Sequence, residues 1–217
     1  MVFTTQEATR MGTVCFIVDA SVTGALLPRH LRTIRQTGFA DHTLPIIVTS
    51  ATPDPRMQDI EQRYHAHFLV TPSQPLGARI NHAAYLSQAD WLLIAMQQQT
   101  PVAKLWCLLY PQLDTYTLDA FLIGSEPPRL SERLLQCFLG ASVAIPPYIA
   151  IRRTWFERLG GLDPELDEAA LADLLQRLYA CPTRLQTFSI DASGVTRGSL
   201  SRSNKPYRPP PSSHTDT

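Results

Sequence analysis

ARINHAAYLSQADWLLIAM, residues 78–96, passes from a helix to a strand through one short connection. Residues 79–87 read as helix, and the apolar run WLLIAM over 91–96 reads as strand. Working outward, the same pairing recurs. VCFIV at 14–18 is short, continuous and rich in β-branched residues, which predicts a strand buried on both faces. Leu27, Leu31 and Ile34 follow at helical spacing, with Pro28 in the first turn and Gly38 as a stop signal. PIIV at 45–48 predicts a second strand, 57–64 a helix and 68–70 a third short strand. This alternation predicts an α/β fold: a mostly parallel twisted sheet with helices on both faces.

The second half is less regular. Strands are expected at 105–110, 117–123 and 148–151, and a helix at 130–139. Leu171, Leu174, Leu175 and Leu178 form one apolar stripe, so 166–179 is predicted helical. From about Asp191 the chain turns to Ser, Arg, Asn and Pro and ends in PYRPPPSSHTDT, a composition that buries no core. The expected organisation is a loose terminus over 1–12, one domain over 13–190 and a disordered tail over 191–217. Segment 206–211 could lie in a partner's groove as a polyproline helix, or be a solvated end.

The chain of 217 residues carries 19 basic and 19 acidic side chains, so no net field draws it to nucleic acid. Its four cysteines, Cys15, Cys107, Cys137 and Cys181, are scattered without a C-x-x-C pair, which argues against a disulfide framework or zinc knuckle. The longest apolar runs fall far short of the roughly 20 residues that span a bilayer. A soluble, cytoplasmic protein without a transmembrane segment is expected. His65 and His67 would share one face of an extended segment, but no third metal ligand is near in sequence.

Four segments in order resemble the family-2 glycosyltransferases of the GT-A type. The first joins VCFIV to Leu27-x-x-x-Leu31-x-x-Ile34-x-Gln36, and the second runs from IIVTSATPD at 46–54 to IEQRY at 60–64. The third is ARINHAAYLSQADWL at 78–92, similar to the family's A-R-x-N-x-G segment. The last is Arg153-x-x-Phe156-x-x-x-Gly160-Gly161-Leu162-Asp163, followed by Ala170-Leu171-Ala172-Asp173-Leu174-x-x-Arg177. The resemblance spans residues 14–181 and implies a nucleotide-diphospho-sugar transferase fold.

It also implies chemistry that this sequence does not supply. The family holds Mg²⁺ or Mn²⁺ on an Asp-x-Asp motif, which neutralises the departing diphosphate. Those slots fall on Met96 and Gln98, and nothing from 91 to 113 is acidic. Asp90 precedes the strand and lies about 20 Å from its far end at strand rise. A thioether has little affinity for such cations and an amide carries no charge, so no metal or other cofactor is expected. The family's catalytic base falls on Leu171, which cannot accept a proton; Asp167, Glu168 or Asp173 could substitute only after a one-turn shift. The family's acidic contacts to the nucleotide fall on Thr49 and Ser50. Asp54 survives, though after Pro53 it could equally make a local turn. Asp19 is a candidate for bonding a ribose or base, with capping of the next segment as the alternative.

No catalytic residue is therefore assigned, and Asp19, Thr49, Asn81 and Gln98 are the candidate substrate-binding residues. The resemblance implies a nucleotide sugar or another glycosyltransferase as partner. The reading is a pseudo-glycosyltransferase with a binding or assembly role in glycan or polysaccharide biosynthesis. The alternatives are a metal-independent enzyme with Arg79, Arg152 or Arg153 against the diphosphate, and a nucleotide-binding regulator. Trp91, Trp106, Trp155 and Phe156 are read as core, with an exposed Trp155 the exception that could stack on a ring.

Overall fold

The computed structural model describes residues 13–36, 44–99, 109, 112–113, 117–124, 145–191, 194–197 and 201–202. Among them nine strands form one sheet: β1 (Val14–Asp19), β2 (Ile46–Ser50), β3 (His67–Val70), β4 (Trp91–Ala95), β5 (Ala120–Ile123), β6 (Tyr148–Arg152), β7 (Arg184–Asp191), β8 (Gly194–Arg197) and β9 (Ser201–Arg202). Their order is β3-β2-β1-β4-β6-β5-β7-β8, with β9 also on β7. The strands β3, β2, β1 and β4 are mutually parallel, as the strand–helix alternation implies. β6 runs antiparallel between β4 and β5, β5 pairs parallel with β7, and β8 and β9 pair antiparallel with β7.

The period of two along each central strand divides the core into two layers. Val14, Phe16 and Val18 of β1, with Trp91, Leu93 and Ala95 of β4, face one layer. That layer is covered by α2 (Leu27–Gln36) through Leu27, Leu31 and Ile34, and by Tyr64 at the end of α3 (Met57–Tyr64). Cys15, Ile17, Leu92, Ile94 and Met96 face the other. There α4 (Leu76–Ser87), α5 (Arg153–Arg158) and α6 (Ala169–Ala180) supply Leu76, Ile80, Ala83, Phe156, Leu171, Leu174, Leu175 and Leu178. Helices thus cover both faces, and a short segment, α1 (Ala20–Thr23) with a 3₁₀ turn at Gly24–Leu26, connects β1 to α2. Burial pushes the Cys15 thiol up to about 12, so it behaves as a small apolar side chain.

Three expectations are corrected. The strand predicted over 117–123 is formed only over Ala120–Ile123, with the Asp119 carboxylate just before it accepting from Arg184. The disordered tail predicted from 191 instead starts with β7 reaching Asp191 and with β8 and β9 paired to it. Backbone hydrogen bonding to an open strand edge is indifferent to side-chain polarity, which is why composition concealed these strands. The helix predicted over 79–87 starts three residues earlier, at Leu76, where the Asp167 carboxylate accepts the Leu76 amide at 2.9 Å. The expected elements at 105–110 and 130–139, the loose terminus 1–12 and segment 206–211 lie outside the described residues, apart from Leu109, which is buried. No described helix is long and apolar enough to cross a membrane.

Two positions make the packing around α4 and α6 unforgiving. A Cβ on Gly77 would stand 1.9 Å from the Asp163 carbonyl oxygen, so only glycine lets the 163–167 loop reach the start of α4. Gly77→Ala should lower stability in urea unfolding by about 1–3 kcal/mol. Leu171 is 3 % exposed. Leu171→Asp would bury a carboxylate without a partner, and thermal melting should register a loss of about 3 kcal/mol or more. An unchanged melting temperature would mean that Leu171 faces open space.

Candidate functional site

The parallel strand order reverses at β1, whose chain leaves toward β2 on one side while β4 lies on the other. In open α/β sheets ligands sit beyond the carboxyl ends of the strands at such a point. Asp19 ends β1 and is paired in register with Thr49 of β2. Ile17 pairs with Ile94 of β4, so two residues on Asp19 comes level with Met96. Asp19, Thr49 and Met96 thus stand side by side where a ligand would be sought. Asp19 and Met96 project toward the α4 face, the side of Ile17 and Ile94.

Asp19 is completely buried and its carboxylate is saturated by the chain itself. Arg79 of α4 donates from Nε to Oδ2 at 2.8 Å and from Nη2 to Oδ1 at 3.0 Å. Thr49 Oγ1 donates to Oδ2 at 2.6 Å, and the Ser21 amide to Oδ1 at 2.8 Å, which caps α1. The Ser21 hydroxyl adds a further bond to Oδ1 and accepts from Arg79 Nη2 at 3.1 Å. Arg79 completes its fork on the Gln74 carbonyl at 2.7 Å. Burial alone would raise the Asp19 carboxyl, but the bonds from Arg79, Ser21 and Thr49 and the Arg79 charge outweigh it and hold it below the usual range. Asp19 therefore performs the capping alternative, and Thr49 serves Asp19.

Mg²⁺ or Mn²⁺ does not fit the residues at the neighbouring slots. Met96 is 3 % exposed and packs in the α4–α6 core layer. Gln98 is exposed, with its amide nitrogen beside Gly24, where a Cβ would stand 3.7 Å away. Among the described residues no three His, Cys, Asp or Glu side chains gather for a metal. Of the three substitutes for a base, Asp167 holds the start of α4 and Asp173 binds Arg177 at 2.6 Å, while Glu168 is exposed just before α6. Arg177 in turn donates to the Gly161 carbonyl at 2.7 Å and to the Leu159 carbonyl.

Asn81 bonds both ways to Leu162, donating to its carbonyl at 2.7 Å and accepting its amide at 2.8 Å. Gly161, at φ 71°, leaves room for that clamp, since a Cβ there would meet Asn81 Oδ1 at 2.6 Å. Asn81 and Arg177 together therefore fasten the Gly160-Gly161 turn. Arg152 pairs in register with Trp91, at the opposite end of β4 from Met96, and lies 4.7 Å over the Trp91 ring. Arg153 follows it, 4.0 Å from Glu157. Both stand about 13 Å or more of strand length away from Asp19 and Arg79, so the three arginines do not converge. His65 ends α3 at φ 50°, which takes it off the strand that begins at His67. Asp54 makes the local turn, accepting the Arg56 amide at 2.8 Å. Trp155 is half-buried and donates to Thr183 Oγ1 at 3.1 Å.

Sequence reading missed His30 and Tyr148. His30 is completely buried, with Nε2 2.8 Å from the Gln98 carbonyl and Nδ1 bonded to the Tyr148 hydroxyl. The signal was present: His30 falls within the apolar stripe of Leu27, Leu31 and Ile34.

Breaking the Asp19–Arg79 pair on one side strands a buried charge. Arg79→Met should cost about 3–5 kcal/mol, and adding Asp19→Asn should recover part of it, both read by urea unfolding. The Asp19 contribution is present above its unfolded value of 3.8 and is lost as pH falls through the lower folded value.

No protein-family model matches this chain, and neither does any curated protein. Solved structures do match. Staphylococcus aureus TarS, residues 1–349 in complex with UDP-GlcNAc, superposes with a TM-score of 0.64 at 13% identity, over 89% of this chain and 60% of its own. The Pyrobaculum calidifontis mannosyltransferase PcManGT, in complex with GDP-Man and Mn²⁺, gives 0.55 at 14% identity, over 84% and 58%. The Mycobacterium tuberculosis glucosyl-3-phosphoglycerate synthase, with Mn²⁺, UDP and glucosyl-3-phosphoglycerate, gives 0.56 at 15% identity, over 78% and 66%. This chain thus spans less than two thirds of the length of each. With helices on both faces of a sheet whose strand order reverses at β1, the chain has a GT-A glycosyltransferase-like fold.

Proposed function

We propose that this protein is a family-2-type pseudo-glycosyltransferase: a GT-A scaffold without catalysis, serving binding or assembly beside an active glycosyltransferase in glycan biosynthesis. A cytoplasmic location goes with that reading. The observation that carries it is the burial of Met96 and Leu171 in one apolar core layer. These are the positions that the resemblance gives to a metal ligand and to the base. A diphosphate leaving group develops negative charge, and neither position offers any means to stabilise it or to take the acceptor's proton.

The ion pair beside them supports the same reading. Arg79 is a cation at this rim, and its charge is spent on Asp19. A metal-independent enzyme would need arginine forks on the diphosphate, but Arg152 and Arg153 stand at the opposite end of the strands from this rim. A nucleotide-binding regulator would need groups for the base and ribose, and Asp19 and Thr49 are occupied with one another.

The ligand class to test is the nucleotide sugar, because TarS was solved with UDP-GlcNAc and PcManGT with GDP-Man and Mn²⁺. Titration calorimetry of the full chain with each sugar nucleotide, with and without Mn²⁺, should show no metal-dependent heat at micromolar concentrations. Micromolar, Mn²⁺-dependent binding would overturn the proposal. Mass spectrometry of the purified protein separates the regulator reading, which requires a co-purifying nucleotide.

A further inference from the structure

The bonds around His30 fix its protonation state by chemistry. The Gln98 carbonyl can only accept, so His30 Nε2 carries the hydrogen across the 2.8 Å contact. Nδ1 is then the acceptor, and the Tyr148 hydroxyl donates to it. One ring proton satisfies the chain of bonds; a second does not. It would sit on Nδ1 facing a hydroxyl that is already a donor. To accept from it, Tyr148 must turn its own hydrogen elsewhere, and Tyr148 is 1 % exposed among Ala95, Phe121, Ala150 and other apolar side chains. A stranded buried donor costs about 1–3 kcal/mol.

Three separate elements meet at this imidazole: α2, which carries it, β6 through Tyr148, and the segment after β4 through Gln98. That segment, residues 97–99, borders the rim where Asp19 and Met96 stand. We propose that His30 is a pH-sensitive clasp that holds α2 and residues 97–99 closed over the sheet while the ring is neutral, and lets them open when it is protonated. The inference does not depend on whether the rim binds a nucleotide sugar.

The surroundings favour the neutral ring. Burial comes first in holding its pKa below the ordinary 6.5; the Gln98 carbonyl works against that, and the Arg29 charge on α2 works with it. The facing group from β6 is the Tyr148 phenol, itself pushed upward by burial and therefore uncharged. From the 97–99 segment the facing group is a neutral carbonyl. Among the described residues no carboxylate forms an ion pair with His30 to stabilise an imidazolium. The sign follows: the closed arrangement has its full advantage above 6.5 and loses it as pH falls from there toward the lower value of the closed state.

Amide hydrogen exchange of the full-length chain at pH 7.5 and pH 5.5, corrected for the intrinsic pH dependence of exchange, tests this. Protection of residues 27–36 and 96–99 should fall by up to about tenfold at pH 5.5, the limit set by one pH unit below 6.5, while β1 and β2 stay protected. His30→Gln keeps a donor and an acceptor but cannot titrate, and should abolish the difference. Should that variant not fold, Tyr148→Phe frees Nδ1 for a proton, and the His30 titration followed by NMR should move up from below 6.5. Equal protection at the two pH values, an undiminished difference in His30→Gln, or a His30 titration that Tyr148→Phe leaves in place would each overturn the proposal.

Discussion

A carboxylate that ends a central strand with no exposure to water must be neutralised from inside the protein. Asp19 is in that position, and the group that answers it, Arg79, comes from a helix sixty residues further on. The pairing ties the end of β1 to α4, and Thr49 brings in β2 and Ser21 the start of α1. α4 in turn is fixed at its start by Asp167 and through Asn81 by the Gly160–Leu162 turn. The ends of β1 and β2, the start of α1 and α4 thus meet at one ion pair. Such a pair contributes little net stability, since desolvation consumes much of the attraction, but losing one partner is costly. Its role is to fix which surfaces meet.

That arrangement also governs what the rim can do. In a nucleotide-sugar site, cations are kept available for the diphosphate and carboxylates for a metal. Here one cation and one carboxylate cancel each other out of contact with solvent, and the flanking level is filled by Met96. Met96 and Leu171 belong to one continuous apolar layer with Leu174, Leu175 and Leu178. Both positions are part of what holds α6 to the sheet, and the proposed absence of catalysis rests on that packing.

Much of the architecture was legible in local sequence, for a physical reason. VCFIV and WLLIAM are buried on both faces, so they must be apolar throughout, and α2 and α6 show their apolar stripes openly. Leu171 was read as part of such a stripe, and it is. What local sequence could not show was who meets whom across long separations. Asp19 and Arg79 were singled out apart, one for a ribose and the other for a diphosphate, and nothing local revealed that they satisfy each other. The motif around Asn81 suggests a ligand contact, and nothing local shows that its side chain bonds Leu162 in both directions. His30 was overlooked because a histidine in an apolar stripe carries no marker for its partners on β6 and beyond β4. β8 and β9 were hidden because edge pairing uses the backbone.

The most direct measurement of the central claim is the NMR signal of the Arg79 guanidinium Nε–H in the full-length chain. A fork locked onto a buried Asp19 predicts a resonance protected from solvent exchange and unmoved by a millimolar nucleotide sugar with Mg²⁺. A guanidinium that exchanges freely, or one whose signal shifts at micromolar nucleotide sugar, would contradict the account, because Arg79 would then be available to a phosphate.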